Sequence, residues 1–162
     1  IKEISSLLQT EPTPINSNKF SAQNRARLYW TDIKIDEFVD KKIKLTDILE
    51  SGFPEDSKLP IGRFNWILSE KGKQCINKKY ASIDPIKAQC LTARSDASWN
   101  SNYVTRQGQL SKLTPIEYER LQTVPDNYTN CVSNSQRYKM LGNGWTVDVI
   151  AHILQGLKEK EI

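Results

Sequence analysis

The stretch Phe20-Ser21-Ala22-Gln23-Asn24-Arg25-Ala26-Arg27-Leu28-Tyr29-Trp30 sets two arginines two residues apart where a turn runs into a β-rich segment. Side chains at i and i+2 of a strand share a side. Two guanidinium forks there would clamp an anion or a carbonyl-type acceptor. Ordinary strand-edge charge is the plainer alternative. A second stretch, Leu141-Gly142-Asn143-Gly144-Trp145-Thr146-Val147, lies between two helical patterns. Its glycines would let the backbone approach a ligand closely, and amides opening the next helix favour a carboxylate or phosphate. A simple helix C-cap reads equally well. Cys75, Cys90 and Cys131 are odd in number and far apart, and His152 is the only histidine. That set offers neither a disulfide framework nor metal-ligand pairs, so no metal site is expected. Buried or half-buried thiols in a reducing cytoplasm, with a structural His152, are the expectation.

The elements that would position these groups can be read from spacing. Ile4, Leu7 and Leu8 predict a short helix that Pro12 and Pro14 end. Ile15 to Ser17 reads as a short extended piece. Ser21 could cap a single turn, and Arg27 to Ile33 reads as a strand. Leu45 to Ser51 suggests a helical turn or two, closed by Gly52 and Pro54. From Leu59 to Val104 the pattern is irregular, with loop chemistry from Ser95 to Asn102. Order returns at Thr114-Pro115-Ile116-Glu117, a capping box opening a helix to Gln122. Ser133-Asn134-Ser135-Gln136 predicts a second box and a helix stopping at Gly142-Asn143-Gly144. The last helix would carry Val147, Ile150, Ala151, Leu154 and Leu157 on one face.

The 162 residues have a globular composition, 38% apolar and 26% charged, and no apolar run approaches membrane-spanning length. The net charge of +4 is unevenly placed. Residues 1–57 carry eight Lys/Arg against ten Asp/Glu, residues 58–112 ten against three, and residues 113–162 five against six. A basic middle third suits a polyanion, although a solvated lysine-rich face would look the same.

Taken in order, these pieces resemble the DNA (cytosine-5) methyltransferases. Gln23-x-Arg25-x-Arg27 is similar to their motif VIII, and Leu113-Thr114-Pro115-x-Glu117-x-x-Arg120-Leu121-Gln122-x-x-Pro125-Asp126-x-Tyr128 to motif IX. Ser135-Gln136-Arg137-Tyr138-Lys139-x-Leu141-Gly142-Asn143-Gly144 is similar to motif X. Leu91-Thr92-Ala93-Arg94-Ser95, with Trp30 and Trp145, resembles the de novo branch of the family. The family's glycine loop, Pro-Cys nucleophile and Glu-Asn-Val segment have no counterpart here. The three cysteines follow Gln, Gln and Asn. The resemblance, together with the lack of an initiator Met, implies the carboxy-terminal half of a longer enzyme.

The resemblance implies an α/β fold: the carboxy-terminal part of a Rossmann-like methyltransferase domain plus a small α+β target recognition domain. Residues 1–40 would end the catalytic domain, 41–112 would form the recognition domain, and 113–162 would return to the catalytic domain. Family members flip cytosine out of the duplex, add a cysteine thiolate to C6, and transfer methyl from S-adenosyl-L-methionine to C5. In that scheme Arg27 would donate to the cytosine carbonyl, Arg25 would brace the site or touch phosphate, and Gln23 would fix the loop. Asn143, Gly144 and Trp145 would close the cofactor pocket. Thr92, Arg94, Ser95 and Asp96 would face bases or phosphates. The implied partners are double-stranded DNA and the missing amino-terminal half, with no membrane. The implied setting is the cytoplasm, at the nucleoid if the source is bacterial or phage. A catalytically inactive DNA-binding or regulatory module is the alternative.

Overall fold

The computed structural model describes residues 1–95 and 101–157. Helix α1 (Lys2–Leu8) ends where Gln9 adopts a left-handed conformation, ahead of Pro12. Strands β1 (Thr13–Asn16) and β2 (Ala26–Tyr29) pair antiparallel, with Ile15 opposite Arg27. The Asn16 side chain organises the connection, accepting from the amides of Asn18 at 3.2 Å and Arg25 at 2.9 Å. Two local expectations differ here. Strand β2 stops at Tyr29 rather than Ile33, because Thr31 Oγ1 accepts from the Ile33 amide and turns the chain. Ser21 caps nothing; its buried hydroxyl donates to the Leu121 carbonyl at 2.6 Å.

The turn expected near Leu45 is a 3-10 turn over Leu45–Ile48. The stretch expected to be irregular contains two helices, α2 (Ile61–Leu68) and α3 (Glu70–Asn77). Ser69 caps α3 by accepting from the Gly72 amide, and Gly72 is demanded by packing. A Cβ there would lie 2.2 Å from the Trp66 carbonyl oxygen. The glycine that weakens the sequence signal is what lets the two helices meet so tightly. Strand β3 (Ser82–Ile83) runs parallel to β4 (Asn102–Arg106), which pairs antiparallel with β5 (Gln109–Lys112). Gln107 and Gly108, both at positive φ, make the two-residue turn.

Helix α4 (Pro115–Leu121) forms the expected capping box, with Thr114 and Glu117 satisfying each other's amides. Helix α5 (Asn134–Asn143) follows Ser133 without a side-chain cap, so the second box is not made. The helix ends at Asn143, within the expected Gly142-Asn143-Gly144 stop. Helix α6 (Val147–Gln155) completes the order. The largest core cluster joins Leu45, Leu91, Val104, Leu113, Leu121, Tyr138 and Leu141. A second packs Ile15 and Phe20 against Val149 and Ile153, and a third surrounds Tyr103 and Ile67.

Helix α4 is pinned by two buried carboxylates. Glu117 accepts from Arg106 Nη2 at 2.5 and 2.6 Å and from the amides of Thr114 and Glu50. Glu119 accepts from Thr129, Asn127 and Arg137. Burial alone would push the Glu119 carboxyl up. The hydrogen bonds from Thr129, Arg137 and Asn127 outweigh it and hold the group below its usual range. No helix among the described residues is long and apolar enough to cross a membrane.

Candidate functional site

The Gln23-x-Arg25-x-Arg27 segment is fixed from three directions. Gln23 is fully buried; its Nε2 donates to Leu121 O and Gln122 Oε1, both at 3.2 Å, and its Oε1 accepts from the Leu91 amide at 2.8 Å. Arg25 is also buried. Its Nη1 donates to Leu91 O at 2.7 Å, and its Nη2 to Gly142 O at 3.1 Å and Gly144 O at 2.8 Å. One guanidinium thus joins the start of β2, residues 90–91 and the end of α5. Both terminal nitrogens of Arg25 are committed to backbone carbonyls within the chain. Arg27 is exposed, donating among the described residues only to the neighbouring Ala26 carbonyl at 2.7 Å and to Cys90 Sγ at 3.3 Å.

Helix α5 reaches Arg25 because Gly142 lies directly on the Thr92–Ala93 backbone. A Cβ on Gly142 would stand 2.2 Å from the Thr92 carbonyl carbon and oxygen. Beyond it, Asn143 is exposed, Gly144 half-buried and Trp145 65% exposed. Gln122, read from sequence only as part of a helix end, holds this corner. Its Nε2 donates to Leu141 O and Gly144 O, and its Oε1 accepts from Thr146. An open groove of about 560 Å³ runs alongside, lined by Arg27, Leu28, Trp30, Trp145, Ile150 and Leu154 among others. A second, shallow apolar hollow adjoins it on Val147, Ala151 and Leu154. The apolar stripe expected on α6 is therefore the open side of that helix, while Val149 and Ile153 face the core. Trp30 is half-buried and donates to Ser5 Oγ at 3.1 Å.

Thr92 to Ser95 form a turn held by its own side chains. The Thr92 amide donates to Ser95 Oγ at 2.8 Å, and the two hydroxyls lie 3.1 Å apart. Ser95 is buried by this work, while Thr92 and Arg94 are exposed. Asp96 lies outside the described residues. A polar groove of about 640 Å³ adjoins the turn, with Asn24, Lys79, Tyr80, Cys90 and Arg94 in its walls. Of the ten basic residues in the middle third, several serve the interior. Arg106 pairs with Glu117, Lys87 donates to the carbonyls of Asn18 and Ser21, and Lys112 lies over the Tyr138 ring. Lys58 and Lys73 pair with nearby glutamates. Lys79 and Tyr80, missed in the sequence, are both exposed at the groove, and Lys79 sits at φ 59. Arg120 forms a two-pronged pair with Asp126, at 2.9 and 2.6 Å, away from the groove. His152 is wedged between Phe20 and Phe38, with Nε2 3.1 Å from Asp36 O. No group of three or more His, Cys, Asp or Glu fit to hold a metal occurs among the described residues.

This mixed α/β frame matches Rossmann-like methyltransferases. The fold superposes on the Entamoeba histolytica methyltransferase EhMeth with a TM-score of 0.68, at 20% identity, over 98% of this chain and 57% of that one. On the S. pombe Dnmt2 methyltransferase the TM-score is 0.65, at 16% identity, over 99% and 61%. The family profile of the C-5 cytosine-specific DNA methylases covers residues 62–159, and the chain belongs to that family. Among its relatives are the rice DNA (cytosine-5)-methyltransferase DRM2, 25% identical over 94% of this chain and 27% of that protein. Another is the Staphylococcus aureus Type II methyltransferase M.Sau3AI, 36% identical over 39% of this chain and 15% of that protein. The chain spans well under half the length of these curated relatives.

Proposed function

We propose that this chain is the carboxy-terminal half of a DNA (cytosine-5) methyltransferase, supplying target recognition, the flipped-cytosine donor and one wall of the S-adenosylmethionine pocket. The observation that carries this reading is the asymmetry of the arginine pair. Arg25 is spent on Leu91, Gly142 and Gly144, while Arg27 stands exposed at the end of an open groove. A fixed, solvent-facing guanidinium suits a carbonyl oxygen on which charge grows as a thiolate adds to the ring. Residues 1–40 and 113–162 would belong to the catalytic domain, and 41–112 to target recognition.

Asn143 carries a side-chain amide with no partner among the described residues, and Trp145 presents an exposed indole beside apolar walls. Such a set suits an amphiphilic ligand with a flat ring, so the residues fit S-adenosylmethionine. That cofactor would supply the methyl group. Asn143, Gly144 and Trp145 would hold it from one side, and Arg27 would orient the base. Thr92 and Arg94 would meet double-stranded DNA, with Ser95 shaping the turn beneath them. The nucleophile is expected on the remainder of the enzyme, which would cover Leu28, Trp145, Val147 and Leu154.

The test is methyl transfer from labelled S-adenosylmethionine to duplex DNA. The 162-residue chain alone should give none, and an amino-terminal half carrying a Pro-Cys nucleophile, added in trans, should restore it. Transfer by the chain alone would overturn the fragment reading. No transfer in any assembly, with duplex binding intact, would favour the inactive DNA-binding module.

A further inference from the structure

We infer that Cys90 is a positioning residue for base capture, its sulfur setting the aim of the Arg27 guanidinium; this rests on the proposed role of Arg27. The Cys90 thiol has all its hydrogen-bonding capacity engaged. It lies 3.3 Å from Arg25 Nη1, 3.3 Å from Arg27 Nη2 and 3.4 Å from Leu91 O. One S–H donor directed at Leu91 O leaves the lone pairs facing the two guanidiniums, so the sulfur accepts from both.

The two arginines depend on it unequally. Arg25 keeps three carbonyl acceptors without the sulfur, whereas Arg27 keeps only the carbonyl of its neighbour Ala26. A long side chain held at one point on its own backbone retains much of its rotamer freedom. The second anchor, from a residue far along the chain, converts an exposed charge into an oriented one. Preorganisation of this kind matters most for a donor that must meet charge developing in the transition state.

The position of the pair also links two surfaces. Cys90 lines the polar groove with Thr92 and Arg94, and Arg27 lines the apolar groove with Trp145. The Arg27–Cys90 contact is where the grooves meet. Cys90 lies two residues ahead of the Thr92–Ser95 turn, so a movement of that turn on DNA would be felt at Arg27 through a short piece of backbone.

The test is a double-mutant cycle on single-turnover methyl transfer in the active enzyme that contains this chain. Cys90→Val fills the volume without accepting a hydrogen bond, and Cys90→Ser restores an acceptor. Cys90→Val should slow transfer about tenfold, the scale of one hydrogen bond to a charged group, and Cys90→Ser should stay within about threefold of the native rate. In the Arg27→Ala background Cys90→Val should cause no further loss, because the sulfur acts through that guanidinium. A Cys90→Val rate equal to native, or an equal loss in both backgrounds, overturns the proposal. An Arg27→Ala variant as fast as native instead overturns the reading of Arg27, and with it the role of Cys90.

Discussion

Arg25 is 6% exposed and its guanidinium satisfies three carbonyls from two separate segments, while the Arg27 guanidinium faces solvent with two contacts. Removing each should therefore fail in a different way. Arg25→Ala takes the guanidinium from the carbonyls of Leu91, Gly142 and Gly144, leaving Leu91 O the weak Cys90 thiol donor and Gly144 O the longer bond from Gln122, and should lower stability by about 3 kcal/mol, the range for breaking a buried charged network. A thermal melt measures it, and an unchanged melting temperature would mean those carbonyls find water. Arg27→Ala should leave the melt nearly unchanged and lower the single-turnover methyl-transfer rate by about 10²–10³, the cost of one oxyanion-type donor. Arg27→Lys should rescue only part, because a point charge on a flexible stem lacks the planar fork. If Arg27→Ala leaves the rate intact in a folded assembly, the residue is a strand-edge charge. From sequence the two arginines read as one clamp, since their spacing gives a shared side and nothing more. Which of them is covered depends on residues 90–91 and 142–144, contacts between distant parts of the chain that no local spacing encodes.

The start of helix α4 was legible because its capping box is a local pattern, and its end fell one residue before the Gln122 expected, whereas α2 and α3 were hidden by Gly62 and Gly72 inside them. The same contrast separates the two ends of α5. Its expected cap at Ser133 fails, while the stop read at Gly142-Asn143-Gly144 holds, with the last helical residue at Asn143 and Gly142 pressed on the Thr92–Ala93 backbone. Gly142→Ala should therefore do more than change helix propensity. A methyl 2.2 Å from the Thr92 carbonyl has only backbone to displace, so the helix must lift from the turn or the turn must shift. The expected result is a loss of about 1–3 kcal/mol in stability. Loss of protection at the amides of Thr92 and Ser95 in hydrogen exchange would accompany it. A melt unaltered by the methyl would show that the contact is looser than it stands. On α4 itself, Glu119 is held below the usual carboxylate range by hydrogen bonds that outweigh burial, and Asp126 by its bond to Arg120. Both depressed groups contribute stability that is present above their unfolded values and is lost as pH falls through the folded ones. Acid denaturation should thus set in below about pH 4.5 and be flatter in Glu119→Gln, which is also less stable at neutral pH because Arg137 loses its buried partner.

For the molecule as a whole, the basic middle third presents far less free charge than its composition suggests. Arg106, Lys87 and Lys112 serve the interior, and Lys58 and Lys73 are matched by neighbouring glutamates. Lys71, Lys78, Lys79 and Arg94 remain exposed and outside any ion pair among the described residues, with Lys79 and Arg94 sharing the polar groove. Charge counting along the sequence could locate the basic region but not discount its internally used members. If that face meets duplex DNA, log affinity should fall with log salt at a slope of about −3 to −4, one counterion for each of these four side chains. A slope near −9 would mean that all ten cations of the segment reach phosphate, and the buried Arg106 makes that impossible in the folded state. Lys79→Ala and Arg94→Ala should each flatten the slope by about one. Lys58→Ala and Lys73→Ala, whose charges are already balanced, should change it less. The measurement is fluorescence anisotropy of a labelled duplex across a salt series, with native chain and the four variants side by side. A salt-independent affinity, no binding at low salt, or equal slopes for Lys79→Ala and the native chain would make the middle third a solvated face and move target recognition elsewhere.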